Sequence, residues 1–532
     1  MRNLELPGRS PVHAMNGMAA TSHPLSTNTA IRVLQEGGNA MDAAVAACAV
    51  QCVVEPGSTG IGGDCFVLFA PGDGDDILAF NGSGRAPAAA NVEWYVENRI
   101  DAIERYTPHS VTVPGAIDAW STLLKDYGTI GLDRLLKPAI AFARDGYPIH
   151  SRVGIDWEAG AEATLRHNPN AERVMLPGGK PPSVGSVHRQ PQLADTMDLI
   201  AEKGRDAFYM GRVAEDIVGH LQELGGLHTL EDFAEAKGEY VTPVKTNYRG
   251  YDVYECPPNG QGIIALEMLN ILSGYDFSGM DPLSAERFHL LVEATRLAYR
   301  DRDDVVADPA QAQVPSDWIL SMQRADELRD LIVPERAMTP PPPFSMPAHA
   351  DTVYLCVVDK DRNAVSFINS LFSGYGSGIM SPETGVMLHN RGNGFVVEPG
   401  HLNCIAPRKR PLHTIIPGML VENDRAVMPF GVMGGHYQCV GHNQFLGNVI
   451  DFGLDVQEAL DLGRVFAPPG GDTVEIEAGV PEETVAKMKA RGHKVTSPEK
   501  PIGGGQAILI NWETGVLTGG SDPRKDGCVI GY

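Results

Sequence analysis

The chain has 532 residues, of which 43% are hydrophobic and 21% charged, with a formal net charge of −24. That composition belongs to a globular protein with a large core and excludes a disordered one. The acidic balance leaves no basic surplus for nucleic acid, although a local basic pocket can still sit in an acidic protein.

No run of about 18 or more apolar residues offers a membrane span. The N-terminus, Met1-Arg2-Asn3-Leu4-Glu5-Leu6-Pro7-Gly8-Arg9, is not followed by an apolar signal core, so we expect a cytoplasmic protein. The eight cysteines, at 48, 52, 65, 256, 356, 404, 439 and 528, form no CxxC pair and read as reduced core thiols.

In chain order, residues 24–54 carry two helical patterns separated by the turn Gly37-Gly38-Asn39-Ala40. The glycine-rich loop Glu55-Pro56-Gly57-Ser58-Thr59-Gly60-Ile61-Gly62-Gly63-Asp64 follows, then strands at 65–70 and 77–80 about a turn at 72–76. No strand precedes that loop and no helix follows it, the wrong order for a dinucleotide cradle, so we read it as a close-approach turn. Helices are predicted at 114–120 onward, at 132–145, with breaks over 190–235, and at 260–272 and 284–304. Strands dominate 241–256. The charges Arg296, Arg300, Asp301, Arg302, Asp303 and Asp304 read as a solvated helix end with local ion pairs.

The densest proline run, Thr339-Pro340-Pro341-Pro342-Pro343-Phe344-Ser345-Met346-Pro347, can join neither a helix nor an inner strand. It leads into Asp351-Thr352-Val353-Tyr354-Leu355-Cys356-Val357-Val358, which is strand-like from Thr352. A hairpin over 352–358 and 364–370 is predicted, then strands near 386, 415–421 and 427–433. Helices are expected at 436–452, 456–464 and 482–491, and closing strands at 507–511 and 516–518. Helices alternating with central strands suit an α+β layered fold.

Several stretches carry candidate chemistry. A chain cut at Asp351-Thr352 would give a threonine its own base, a free α-amine with a pKa of about 8. Gly434-Gly435, at a strand-to-helix junction, can aim backbone amides at an oxyanion. Ser370 ends the hairpin that Thr352 begins, which puts the two hydroxyls within reach of each other. Arg408-Lys409-Arg410-Pro411-Leu412-His413-Thr414 is a basic spot that either binds a substrate carboxylate or pairs with acids. His389, His401, His413, His436 and His442 share no metal-ligand spacing on one element, so we expect neither metal nor cofactor.

In order along the chain, these segments resemble the γ-glutamyltransferase family of N-terminal-nucleophile hydrolases. The resemblance runs through Gly37 to Ala44, Gly57 to Asp64, Val113-Pro114-Gly115, Thr352, Asn363-Ala364-Val365-Ser366, Gly376-Ser377-Gly378-Ile379, Lys409-Arg410-Pro411, Gly434-Gly435 and Ser521-Asp522-Pro523-Arg524. It implies a four-layer αββα sandwich made by a proenzyme that cuts itself before Thr352. The products are a large segment, 1–351, and a small one, 352–532, sharing one core and possible as a dimer of such pairs. Thr352 matches the nucleophile, Ser370 the hydroxyl bonded to it, and Gly434 and Gly435 the oxyanion hole.

The substrate pocket departs from the glutathione-processing pattern. Phe372 stands where those members carry Asn. Their Asn-Gln-Met-Asp-Asp reads Asn390-Arg391-Gly392-Asn393-Gly394, so an acid that would face an ammonium is replaced by Gly394, and a cation, Arg391, has entered. Their paired serines read His413-Thr414. Their carboxylate-binding Arg falls at Ser83, with Arg85 two residues on. Exchanging a carboxylate for a guanidinium turns an ammonium pocket into an anion pocket. The expected substrate is a small carboxylate-bearing amide without a γ-glutamyl head, as on the acylase and oxamate-amidohydrolase side of the family. A glutathione hydrolase or transpeptidase with a rearranged pocket, and an unprocessed inactive scaffold, are the alternatives.

Overall fold

The computed structural model describes residues 5, 8–72, 76–339 and 351–532, with backbone alone at Asp351. The proline run from Pro340, read above as a connector, and most of the 72–76 turn lie outside the described residues.

Two seven-stranded sheets form the centre. One runs, edge to edge, Cys528–Gly531, Met18–Thr21, Asp351–Val358, Ala364–Phe372, Asp64–Ala70, Leu78–Gly82 and Glu239–Val241. The other runs Val12–Ala14, Leu517–Ser521, Gly504–Ile510, Arg425–Met433, Gly418–Glu422, Tyr251–Glu255 and Val244–Tyr248. Every pairing within both sheets is antiparallel.

Side-chain alternation builds four layers from these two sheets. Along Asp351–Val358, Leu355 and Val357 join the outer core formed with helices Pro24–Gln35, Ala40–Val54 and Ala116–Tyr127. Tyr354, Cys356 and Val358 turn the other way and meet Met419, Val421, Ile508 and Leu517 of the second sheet. That sheet's far face, with Val253, Leu420, Phe430 and Val432, packs on helices Gly262–Leu272, Ala285–Val305 and Tyr437–Ile450. The expected αββα sandwich is therefore present. Helix Ala40–Val54 is buried along its whole length, which its alanines permit, and a reciprocal cap between Asn39 and Asp42 starts it.

Three expectations need correction. The charges on helix Ala285–Val305 are a solvated end only in part: Arg300 and Asp304 are exposed, but Arg302 is 0% exposed and Arg296 and Asp301 are buried. The helix lies between other elements, so its charges pair internally, Arg296 with Glu293 at 3.0 Å and Asp301 with Arg324 at 2.7 Å. The strand expected near 386 is an isolated bridge between Met380 and Met387. The chain closes on one further strand, Cys528–Gly531, beside the equally unforeseen Met18–Thr21. All eight cysteines are free, seven of them buried.

Candidate active site

The site grows from the middle of the first sheet. Strand Asp351–Val358 pairs with Ala364–Phe372, and their register shifts between Asp351 and Val353. Such an irregularity re-aims one side chain, here Thr352. Its Oγ1 lies 3.1 Å from Ser370 Oγ, and both residues are fully buried. Ser370 Oγ accepts the Phe372 amide at 2.8 Å. The neighbouring Asn369 donates to Thr59 Oγ1 at 2.8 Å and to the Gly60 carbonyl at 3.2 Å. The glycine loop thus clamps the strand end. A Cβ on Gly63 would stand 2.4 Å from the Ser370 carbonyl oxygen, and one on Gly62 2.2 Å from that of Met387. The loop is a close-approach turn filled by other backbone, not a phosphate cradle.

Gly434 and Gly435 join strand Arg425–Met433 to helix Tyr437–Ile450. Their φ angles, +130° and +59°, favour glycine at both positions. Gln261 donates to the carbonyls of Gly435 at 3.0 Å and Thr414 at 2.8 Å. Arg302 in turn donates to Gln261 Oε1 at 3.1 Å and to His436 Nδ1 at 2.9 Å. The buried arginine of helix Ala285–Val305 therefore supports the glycine pair.

One step beyond Ser370 the pocket residues gather. Phe372 has φ +77°, a conformation bulky side chains rarely adopt. The Arg391 guanidinium carbon sits 4.0 Å from the centre of its ring. Arg391 begins the short turn Arg391–Gly394 and is 0% exposed. Its Nη1 donates to Thr414 Oγ1 at 2.9 Å, while Nε and Nη2 have no hydrogen-bond partner among the described residues. Burial pulls its pKa down to about 9, against the opposing pull of Asp64.

Asp64 is the anion of this region. One oxygen accepts the Gly84 and Gly115 amides at 3.0 and 3.1 Å; the other faces His413 Nε2 at 3.0 Å and His389 Nδ1 at 3.6 Å. Burial would raise its pKa, but His389, His413 and Arg391 outweigh that and hold it at about 2. Burial and the repulsion of Arg391 lower His413 to about 3. At neutral pH the cluster is one carboxylate, one guanidinium and two neutral imidazoles.

The remaining expected residues divide. Asn393 donates to the Ile103 carbonyl at 2.5 Å, and Gly394 accepts from Asn403 at 2.6 Å, so both shape the turn that carries Arg391. Arg85 is not drawn into this cluster. It pairs with Asp308 and Glu239 at 3.3 Å each and lines a cavity of about 380 Å³ with Lys237, Gln311 and Arg408, bordered on one side by Gly84 and Gly115, whose amides bind Asp64. Ser83, at the register position of the family's arginine, bonds to Asn81 at 2.7 Å. In the basic spot, Arg408 pairs with Glu235 at 2.7 Å and Arg410 with Glu239, while Lys409 donates to the Leu402 and Cys404 carbonyls. Those three cations serve the fold; His413 and Thr414, just beyond them, reach the cluster.

Sequence reasoning missed Asp64, Gln261 and Arg302. A lone acid opening an otherwise apolar strand was the available signal for Asp64. Gln261 and Arg302 gave none, because their partners are distant in sequence.

Comparison with known proteins gives the family and agrees with the fold. The family model described as gamma-glutamyltranspeptidase matches residues 26–532. The chain belongs to the γ-glutamyltranspeptidase family. Among curated members of that family, it is 38% identical to the glutathione hydrolase-like YwrD proenzyme of Bacillus subtilis (strain 168), covering 97% of this chain and 98% of that one. It is 32% identical to the oxamate amidohydrolase proenzyme of Klebsiella pneumoniae, covering 97% and 98%. The crystal structure of cephalosporin acylase from Bacillus halodurans superposes with a TM-score of 0.93 at 40% identity, covering 100% of this chain and 99% of that one. The sandwich is thus of the N-terminal-nucleophile hydrolase type found in the acylase and γ-glutamyltranspeptidase structures, in a family of hydrolases and acylases. No helix among the described residues is long and apolar enough to cross a membrane.

Proposed function

We propose that the chain is an autoprocessed amidohydrolase acting on a small amide whose acyl group carries a carboxylate. Cleavage between Asp351 and Thr352 gives segments 1–351 and 352–532 and frees the Thr352 α-amine. That amine takes the Oγ1 proton as the hydroxyl attacks the amide carbonyl. The Gly434 and Gly435 amides donate hydrogen bonds to the developing oxyanion, and Ser370, 3.1 Å from the Thr352 hydroxyl, orients the nucleophile. The proton passes to the departing amine, leaving a threonyl ester. Water, deprotonated by the Thr352 α-amine, then attacks the ester; the acid leaves and the amine returns the proton to Oγ1.

The observation that carries the substrate assignment is Arg391, fully buried with Nε and Nη2 unsatisfied. Buried donors without acceptors are costly, and a carboxylate meets a guanidinium with two parallel hydrogen bonds. Asp64, the acid facing Arg391, already bonds two amides and a histidine and sits beside a second, so it offers nothing to a γ-glutamyl ammonium. The names of the acylase and oxamate amidohydrolase relatives point the same way. The test compares hydrolysis of γ-glutamyl-p-nitroanilide with glutaryl, succinyl and oxalyl amides, after a denaturing gel has shown two segments. Faster turnover of the γ-glutamyl compound would overturn the assignment in favour of a glutathione hydrolase. A persistent single band with no turnover would make the chain a scaffold.

A further inference from the structure

The geometry points to a binding site for a divalent transition-metal ion, such as Zn²⁺, formed by His289, Glu293 and His493, apart from the residues proposed for catalysis. His289 and Glu293 are four residues apart on helix Ala285–Val305 and share one face. His493 comes from the turn between helix Glu482–Ala490 and strand Lys494–Thr496. One ligand atom from each lies within 4.8 Å of the others, and all three residues are buried. His289 Nδ1 and His493 Nε2 are 2.8 Å apart. Four-coordinate zinc, with bonds of about 2.0–2.2 Å, needs its ligand atoms only slightly further apart than that.

The outer partners that fix metal ligands are already in place for two of the three. His289 Nε2 donates to the Val333 carbonyl at 2.9 Å, which leaves its Nδ1 lone pair facing His493. Metal-bound histidines hold their tautomer in this way. Glu293 accepts Arg296 through Oε1 at 3.0 Å and the Met338 amide through Oε2 at 2.8 Å, and each carboxylate oxygen keeps a lone pair.

His493 turns Nε2 toward His289, so its Nδ1 lies on the far side of the ring from the site, buried and without a partner among the described residues. Without metal, His493 donates its Nε2 proton to His289. When an ion takes both lone pairs, that proton moves to Nδ1, so the ring stays neutral and no net proton is released. Two imidazoles and one carboxylate suit zinc, cobalt or nickel better than calcium or magnesium. The ligands come from both sides of the Asp351–Thr352 bond, so a bound ion would fasten residues 285–305, through Glu293 and Met338, to the segment carrying His493.

The test uses full-length protein stripped with a chelator, then titrated with Co²⁺ by visible absorption and with Zn²⁺ by calorimetry. The expected result is one ion per chain, an intense low-coordinate Co²⁺ spectrum, and a Tm that rises with Zn²⁺. His493→Gln, which keeps a donor toward His289, and Glu293→Gln should each weaken binding by more than the roughly 10- to 100-fold typical of losing an outer partner. No stoichiometric binding by the wild type, or wild-type affinity retained in both variants, would overturn the site. The wild-type spectrum decides the matter even if a variant fails to fold.

Discussion

The two ends of the active-site cluster are built on different principles. At the Thr352 end the groups are short hydroxyls and backbone glycines, held by sheet register and by the clamp of the glycine loop on Ser370. At the Arg391 end, charged and aromatic side chains from four separated segments converge: Asp64, Phe372, Arg391 and the pair His413-Thr414. The first arrangement depends on main-chain geometry and suits one chemistry on many substrates. The second depends on a balance of buried charge, which a few substitutions can reverse. On the proposed assignment, reaction and specificity are therefore separable.

The separation breaks most completely at the nucleophile. Thr352→Ala should give a single uncleaved band and lose at least about 10⁴-fold in turnover for every amide tested. Its fold should persist, because Thr352 contributes one small side chain to a core of two sheets. Residual cleavage comparable to wild type would remove Thr352 from its assigned role.

A more selective loss is expected from Arg391→Met. For glutaryl or succinyl amides, kcat/KM should fall by about 10²- to 10³-fold, as when one partner of a buried charge pair is removed. A neutral butyryl amide should change little, since the Thr352 end is untouched. Equal losses on anionic and neutral substrates would mean that Arg391 supports the fold rather than the substrate.

The third effect falls on stability. Asp64→Asn should cost about 2–3 kcal/mol at neutral pH, because a carboxylate held at about 2 from an ordinary 3.8 stabilises the fold by that order. The sign follows from the depressed pKa. The contribution is fully present above about pH 4 and is lost as pH falls through 2. Wild type and variant should therefore converge in urea midpoint toward pH 2, and a gap independent of pH would show that packing, not charge, is at stake.

How much of this was legible in the sequence follows the same division. The nearness of Thr352 to Ser370 and the strand-to-helix turn at Gly434-Gly435 were legible as local patterns, while the roles assigned to these residues came from the family resemblance. Alternating strands and long apolar helices showed a layered α+β fold, and the resemblance supplied its four layers. Arg302 was misread as a solvated helix end because a charge-rich segment is usually exposed, and only the packing of helix Ala285–Val305 reverses that. Arg85 was expected near the substrate but spends its charge on Asp308 and Glu239. Ser83 and Arg85 follow the strand Leu78–Gly82 rather than lying in it, so strand alternation does not say which of them faces inward. Asp64 was quoted for its glycine loop, while its role depends on His389 and His413, more than 300 residues away.

The smallest effect tests the stacking of Phe372 on Arg391. A desolvated cation over an aromatic face gains about 2 kcal/mol or somewhat less. With Phe372→Leu the volume is largely kept and the ring quadrupole lost, so the charged form of Arg391 becomes costlier. Its pKa, already lowered from 12.5 to about 9 by burial, should drop by about one further unit, since one unit corresponds to 1.36 kcal/mol. The readout is the pH profile of kcat/KM. With an anionic substrate the wild type should rise as the α-amine loses its proton near pH 8 and fall as Arg391 loses its own near 9. In Phe372→Leu the falling limb should move toward pH 8 while the rising limb stays. With a neutral substrate neither protein should show that falling limb. A variant whose falling limb stays in place would mean that the ring supports Arg391 only by contact.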